Sequence, residues 1–97
     1  MSSEVTVTDA DDQQRFEARA NGRLAGILTY TRTAGLVVYP HTKVQTEFEG
    51  KGVGGILARA ALDDARERGL EVDPRCPFIA AWIDKHPDYR GLVVAVG

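Results

Sequence analysis

The chain has a single cysteine, Cys76, and its neighbours set what it can do. Pro77 follows it, and proline is favoured at the first position of a helix. Cys76 is therefore the predicted N-cap of a short helix over Phe78–Lys85. A thiol at a helix N-terminus has a lowered pKa and more thiolate, and Arg75 beside it acts in the same direction. Such a thiolate can attack an electrophilic carbonyl. The competing reading is a small buried hydrophobe.

His41 stands near the end of a long strand, directly before Thr42. It could deprotonate an incoming amine or activate Cys76, or it could be a half-buried strand histidine bonded to backbone. His86 falls in the last turn of the short helix, where its charge suits the dipole. Tyr89 is open to proton donation or to packing.

The third group is Gly50, Gly52, Gly54 and Gly55, set against an amphipathic helix. Glycine lets another chain or a ligand approach the backbone closely. A helix start carries unpaired N–H groups and partial positive charge. Together they suit a phosphate or diphosphate, and Lys51 adds charge. The alternative is a tight turn with no ligand.

These groups need elements to position them. Glu4–Thr8 and Gln13–Ala20 alternate as strands, with an acidic turn over Asp9–Asp12 between them. Asn21-Gly22 is a strong hairpin signal, because both central residues of a type I′ turn need positive φ. Arg23–Arg32 is the return strand. Thr33-Ala34-Gly35 is a turn, and Leu36–Gln45 a third long strand, broken or bulged at Pro40.

After the glycines the period changes to that of a helix. Val53, Ile56, Leu57, Ala60, Ala61 and Ala65 share one face, and Gly69 is the expected C-terminal cap. Leu70–Asp73 is a short strand, and Leu92–Val96 a last one beyond Pro87. The fold class is α+β, an α/β sandwich on a mixed, largely antiparallel sheet.

The glycines can be matched to known anion loops. The nucleotide-triphosphatase loop fails, because no hydroxyl follows Lys51. The dinucleotide pattern G-x-G-x-x-G matches literally at Gly50, Gly52 and Gly55, with Glu71 about twenty residues on. Its context is wrong: an antiparallel meander precedes it, and too few strands remain for a doubly wound sheet. The third pattern is the acetyl-coenzyme A loop, [RQ]-x-x-G-x-[GA], falling here on Glu49, Gly52 and Gly54.

His-Thr-x-Val at His41, Thr42 and Val44 precedes that loop. Cys-Pro-Phe at 76–78 and His-Pro-x-Tyr at His86, Pro87 and Tyr89 follow it. In this order and spacing the chain resembles the GNAT superfamily of acyl-CoA-dependent N-acetyltransferases, in its compact single-domain branch, from about Phe16 to Val93. Position 49 is Glu where the superfamily has Arg or Gln, while the backbone cradle needs only N–H groups.

The resemblance implies acetyl-CoA as co-substrate, an unidentified amine acceptor, and catalytic roles for Cys76 and His41. It implies cofactor contacts from Thr42, Val44, Glu49, Gly50, Lys51, Gly52, Val53, Gly54 and Gly55. It also implies a V-shaped opening between the strand of His41–Val44 and that of Leu70–Asp73, with the pantetheine arm in the gap. The alternative is a CoA-binding module without efficient catalysis.

Bulk properties fit one domain over residues 1–97, frayed over 1–3. The 97 residues carry a net charge of −2, with 43% hydrophobic and 27% charged. No basic excess points to nucleic acid, and no apolar run or leader points to a membrane. One cysteine cannot form an internal disulfide, so the expected setting is cytoplasmic. A monomer or weak dimer is expected, and no metal, since no His/Cys/Asp cluster has ligand spacing.

Overall fold

The structure is a computed structural model, and it describes residues 5–94. Strand β1 (Val5–Ala10) pairs antiparallel with β2 (Arg15–Ala20), and β2 with β3 (Arg23–Thr29). Asn21 and Gly22 both take positive φ, 53° and 78°, as a tight primed hairpin requires. The chain then forms β4 (Thr31–Thr33), β5 (Leu36–Val38) and β6 (Thr42–Val44). Helix α1 (Val53–Arg68), strand β7 (Glu71–Asp73) and helix α2 (Pro77–Asp84) follow, with a 3-10 turn over Pro87–Leu92.

Two sheets result, ordered β1-β2-β3-β6 and β4-β5-β7. The predicted strands Arg23–Arg32 and Leu36–Gln45 are each divided between them. The division falls at Tyr30 on one strand and at Tyr39-Pro40-His41 on the other. In the first sheet β6 pairs with β3; in the second, β5 pairs with β4 and, in parallel, with β7. β6 has no partner on its outer side among the described strands, so the sheet opens there.

Helix α1 covers one face. Phe16, Ala18, Ala20 and Leu28 from the strands, with Tyr30 from the break between β3 and β4, join Val53, Leu57, Ala61 and Ala65 in one core. Small residues at 18, 61 and 65 let the helix approach closely. Arg32 fixes the helix laterally, pairing with Asp9 of β1 and Asp64 of α1 at 2.9 Å each. Gly69, at φ 70°, ends the helix; its N–H and that of Leu70 close onto the last turn.

Several expectations need correction. Asp9 belongs to β1, and the turn after it is a 3-10 segment over Asp11–Gln13; left-handed Gln14 delays β2 to Arg15. The buried stripe of α1 is Val53, Leu57, Ala58, Ala61, Leu62 and Ala65. Ile56 is exposed and Ala60 only part-buried. Leu92 closes the 3-10 turn, and within the described part of the expected strand Leu92–Val96 Val93 makes a single parallel bridge to Val72. Ala95 and Val96 lie outside the described residues, as do Glu4 and the expected frayed end.

Leu57 has no solvent exposure and sits where α1 meets β3, beside Gly26. Leu57→Ala should cost about 3 kcal/mol, from lost burial plus the cavity it leaves. Chemical denaturation with an unchanged slope and a lower midpoint checks this.

Candidate functional site

The site lies where the two sheets part. Tyr39 is the last residue to bond across to β7. Its N–H donates to Asp73 O at 3.1 Å, and its carbonyl accepts from Cys76 N at 2.8 Å. Its hydroxyl donates to Ala61 O at 2.8 Å, pinning this point to the middle of α1. Pro40 has no N–H to continue the ladder. Beyond it the His41 carbonyl accepts from Thr29 N, and Gln45 N donates to Ala25 O. That register turns the main-chain groups of Thr42 and Val44 away from β3, into the gap.

Cys76 closes the apex of the gap. It is the N-cap of α2 with Pro77 at the first helical position, as its neighbours imply, and is 5% exposed. Its Sγ lies 3.4 Å from Thr42 Oγ1, joining the connector to β6 across the opening. Burial pushes the thiol pKa up. The Thr42 hydroxyl, then the amides of Ile79, Phe78 and Thr42, more than offset it, so the net shift is downward. No side chain makes a close capping bond at this helix start; the helix amides act on the thiolate as nearby dipoles.

The glycine segment forms the mouth of α1. A short 3-10 turn over Thr46–Phe48 leads into it. Glu49 N and Lys51 N are consumed locally, on Thr46 O and Phe48 O. Gly52 is the helix N-cap at φ 79°, and it offers no side chain to fill the mouth. The first-turn amides of Val53, Gly54 and Gly55 therefore have no side-chain cap. Gly54 is required by space: a Cβ there would come within 2.7 Å of the Phe78 ring. Arg23 grips Glu47 through both carboxylate oxygens, at 2.7 and 2.8 Å, and fastens the loop to the hairpin.

A cavity of about 240 Å³ opens onto this mouth. Val44, Glu49, Gly50, Gly52, Val53, Gly54 and Gly55, all singled out in the sequence, line it. Phe48 and Phe78 also line it; their apolar character gave no signal that separates a cavity wall from core. Thr42 is reached through Cys76. Lys51 instead lines a separate cavity with Val5, Ala20 and Phe48.

His41 is exposed, and among the described residues its ring makes no hydrogen bond, to Cys76 or to any other group. His86 bonds Trp82 O at 2.7 Å and stacks on the Trp82 ring. Tyr89 donates to Asp63 at 2.7 Å, which with burial raises its pKa. His86 thus packs on α2, and Tyr89 ties the closing 3-10 turn to α1. Among the described residues no three His, Cys, Asp or Glu side chains gather to hold a metal.

The arrangement can grip a diphosphate on bare amides, pair an extended chain with Thr42 and Val44, and present a low-pKa thiol at the end of that chain. Those features fit coenzyme A: a helix mouth with no side-chain cap, and an open strand edge leading from it.

The comparisons with known proteins agree. A model of the GCN5-related N-acetyltransferases matches residues 15–92. Protein NATD1 of Xenopus tropicalis is 30% identical over 88 residues, covering 89% of this chain and 81% of that protein. Protein NATD1 of Mus musculus is 32% identical over 80 residues, covering 78% and 73%. A GCN5-like protein from Staphylococcus aureus, solved by NMR, superposes with a TM-score of 0.70 at 24% identity, covering 100% of this chain and 94% of that one. A ribosomal-protein-alanine N-acetyltransferase from Brucella melitensis biovar Abortus superposes at 0.56 and 25% identity, over 86% of this chain and 62% of that chain.

The Thr42 hydroxyl is the largest favourable influence on the Cys76 thiolate. Thr42→Val should move the thiol titration upward from a starting point below that of a free cysteine. Ultraviolet thiolate absorbance against pH reads both. A depressed thiol pKa stabilises the fold above that pKa, and the contribution is lost as pH falls through it. Wild type should therefore gain stability on the alkaline side that the variant lacks.

Proposed function

This chain belongs to the GCN5-related N-acetyltransferase family, and on that premise we propose that it moves an acetyl group from acetyl-CoA to an amine acceptor, with Cys76 as the group that receives or positions the acetyl. One observation carries the reading. The glycine mouth and the free edge of β6 open onto a single cavity, and Cys76 lies on Thr42, two residues along β6 from Val44.

Bound acetyl-CoA supplies an activated acetyl carbonyl. The amides of Val53, Gly54 and Gly55 hold its diphosphate at the positive end of α1. The exposed main-chain groups of Thr42 and Val44 hold the extended arm in register with β6. The outward N–H groups of β6 also polarise the carbonyl, and fixing the thioester beside them supplies much of the acceleration.

In the covalent route the Cys76 thiolate bonds to the acetyl carbon, and the coenzyme thiolate leaves. An amine then attacks the cysteine thioester, loses a proton and departs as the amide, which returns the thiol. In the direct route the amine attacks the bound thioester while Cys76 positions it. His41, exposed and directly before Thr42, is the proposed proton acceptor for the amine. The cytoplasmic setting belongs to the same reading.

One observation favours the second reading, a CoA-binding module without efficient catalysis. The His41 ring is in hydrogen-bond contact with no nucleophile among the described residues.

Incubation with acetyl-CoA followed by intact-mass measurement separates these. Wild type should gain about 42 Da, one acetyl group, and Cys76→Ala should not. Turnover of an amine that survives in Cys76→Ala assigns the direct route. Binding of coenzyme A with no transfer to any amine assigns the module.

A further inference from the structure

We propose that two copies of this chain associate through the outer edge of β1, pairing antiparallel about a twofold axis at Val7. This inference stands apart from the acetyl-transfer reading and does not depend on it.

Strand β1 ends the order β1-β2-β3-β6, and its outer side has no strand partner among the described residues. Alternate N–H and C=O groups on that side are a template for another strand. Proteins guard such edges with short length, lysine, proline or a bulge. β1 has none of these. It runs six residues, Val-Thr-Val-Thr-Asp-Ala, in unbroken register with β2. Val5, Thr6, Val7 and Thr8 are β-branched, the type that suits a sheet. Its one charge, Asp9, is taken up by Arg32 at 2.9 Å and Arg68 at 3.6 Å. The edges at β4 and β6 differ: each strand is three residues long, and Arg32 and Lys43 stand in them.

Packing gives a second observation. Val5 and Val7 lie against the core yet are only partly buried. Val5 also lines the cavity of about 210 Å³ that holds Ile56, itself 38% exposed. Apolar surface is thus left open beside the edge, on the helix side of the sheet. A strand added to β1 covers both valines.

A second copy is the partner that β1 itself fits. Opposite residues of an antiparallel pair share one face of the sheet. With Val7 opposite the partner's Val7, Thr6 falls opposite the partner's Thr8, and Val5 opposite the partner's Asp9. Valines then meet on the helix side and threonines on the exposed side, while the two Asp9 carboxylates stay apart. A slip of one residue sets valine against threonine. The same register carries the partner's Asp12 toward the end of β1, where Lys51 lines the cavity with Val5. Asp12 and Lys51 are both exposed, and neither has a salt bridge among the described residues. β1 and β6 lie at opposite ends of the sheet, so association leaves both gaps open.

The test is sedimentation velocity from about 10 µM to 1 mM, the range suited to so small an interface. Wild type should move from 10.6 kDa toward twice that mass. A variant with Thr6→Lys and Thr8→Lys, both at exposed positions, should stay monomeric throughout with an unchanged circular dichroism spectrum. Val7→Cys in a Cys76→Ala background should form a disulfide-linked dimer on mild oxidation. The register sets the two Cα atoms of residue 7 about 4.5–5.5 Å apart, within disulfide reach. Thr8→Cys in the same background should link more slowly, although position 8 is the more exposed. Wild type that stays monomeric at the top of the range overturns the proposal. So does a double-lysine variant that associates as wild type does, or a Thr8→Cys that links faster than Val7→Cys. Should the lysine variant fail to fold, the wild-type mass and the cysteine pair decide.

Discussion

Tyr39 is the constraint on which the site depends. Its backbone is committed to the β7 side and its hydroxyl to Ala61 in the buried middle of α1. A residue held at both ends cannot let the strand drift back toward β7. Pro40 then removes the next donor, and β6 follows β3. The gap is therefore built into the covalent chain and does not depend on a ligand to wedge it apart. Burying Tyr39 and satisfying its hydroxyl stabilise the fold at the point where the sheet gives up hydrogen bonds.

The same anchoring relates the gap to the helix mouth. α1 is fixed along its length by Ala61 against Tyr39, by Asp64 against Arg32, and by Leu57 against Gly26. Its N-terminus then falls beside Val44, at the open end of β6. Diphosphate and arm positions are set by one rigid packing interface, which is what positional catalysis requires. The Arg23–Glu47 pair is exposed and weak in energy. Its use is to hold the approach loop in place while the glycines leave the amides open.

Much of this was legible in the sequence, for local reasons. Asn21-Gly22 needs positive φ at both positions, and Pro77 after Cys76 marks a helix start; neither depends on distant residues. The cavity-lining glycines were legible because several of them beside a strong helix have few other uses. The fold family followed from motif order, and the family match and structural neighbours agree with it. What was not legible depends on tertiary placement. α1 has apolar residues on more than one stripe, and periodicity cannot say which stripe meets the sheet. Ala58 and Leu62 went to the core, and Ile56 and Ala60 to a groove. Arg59 reads as a solvated charge until Trp82 and Tyr89 are seen beneath it. Val93 pairs with Val72 through one isolated bridge, which no local pattern in the sequence announces.

Amide-resolved NMR with coenzyme A titrated into the labelled protein tests the central claim most directly. The largest shifts should fall on the amides of Val53, Gly54 and Gly55, with Thr42 and Val44 following at the same ligand concentrations. Shifts confined to other surfaces, with those amides unmoved at saturation, would contradict the account.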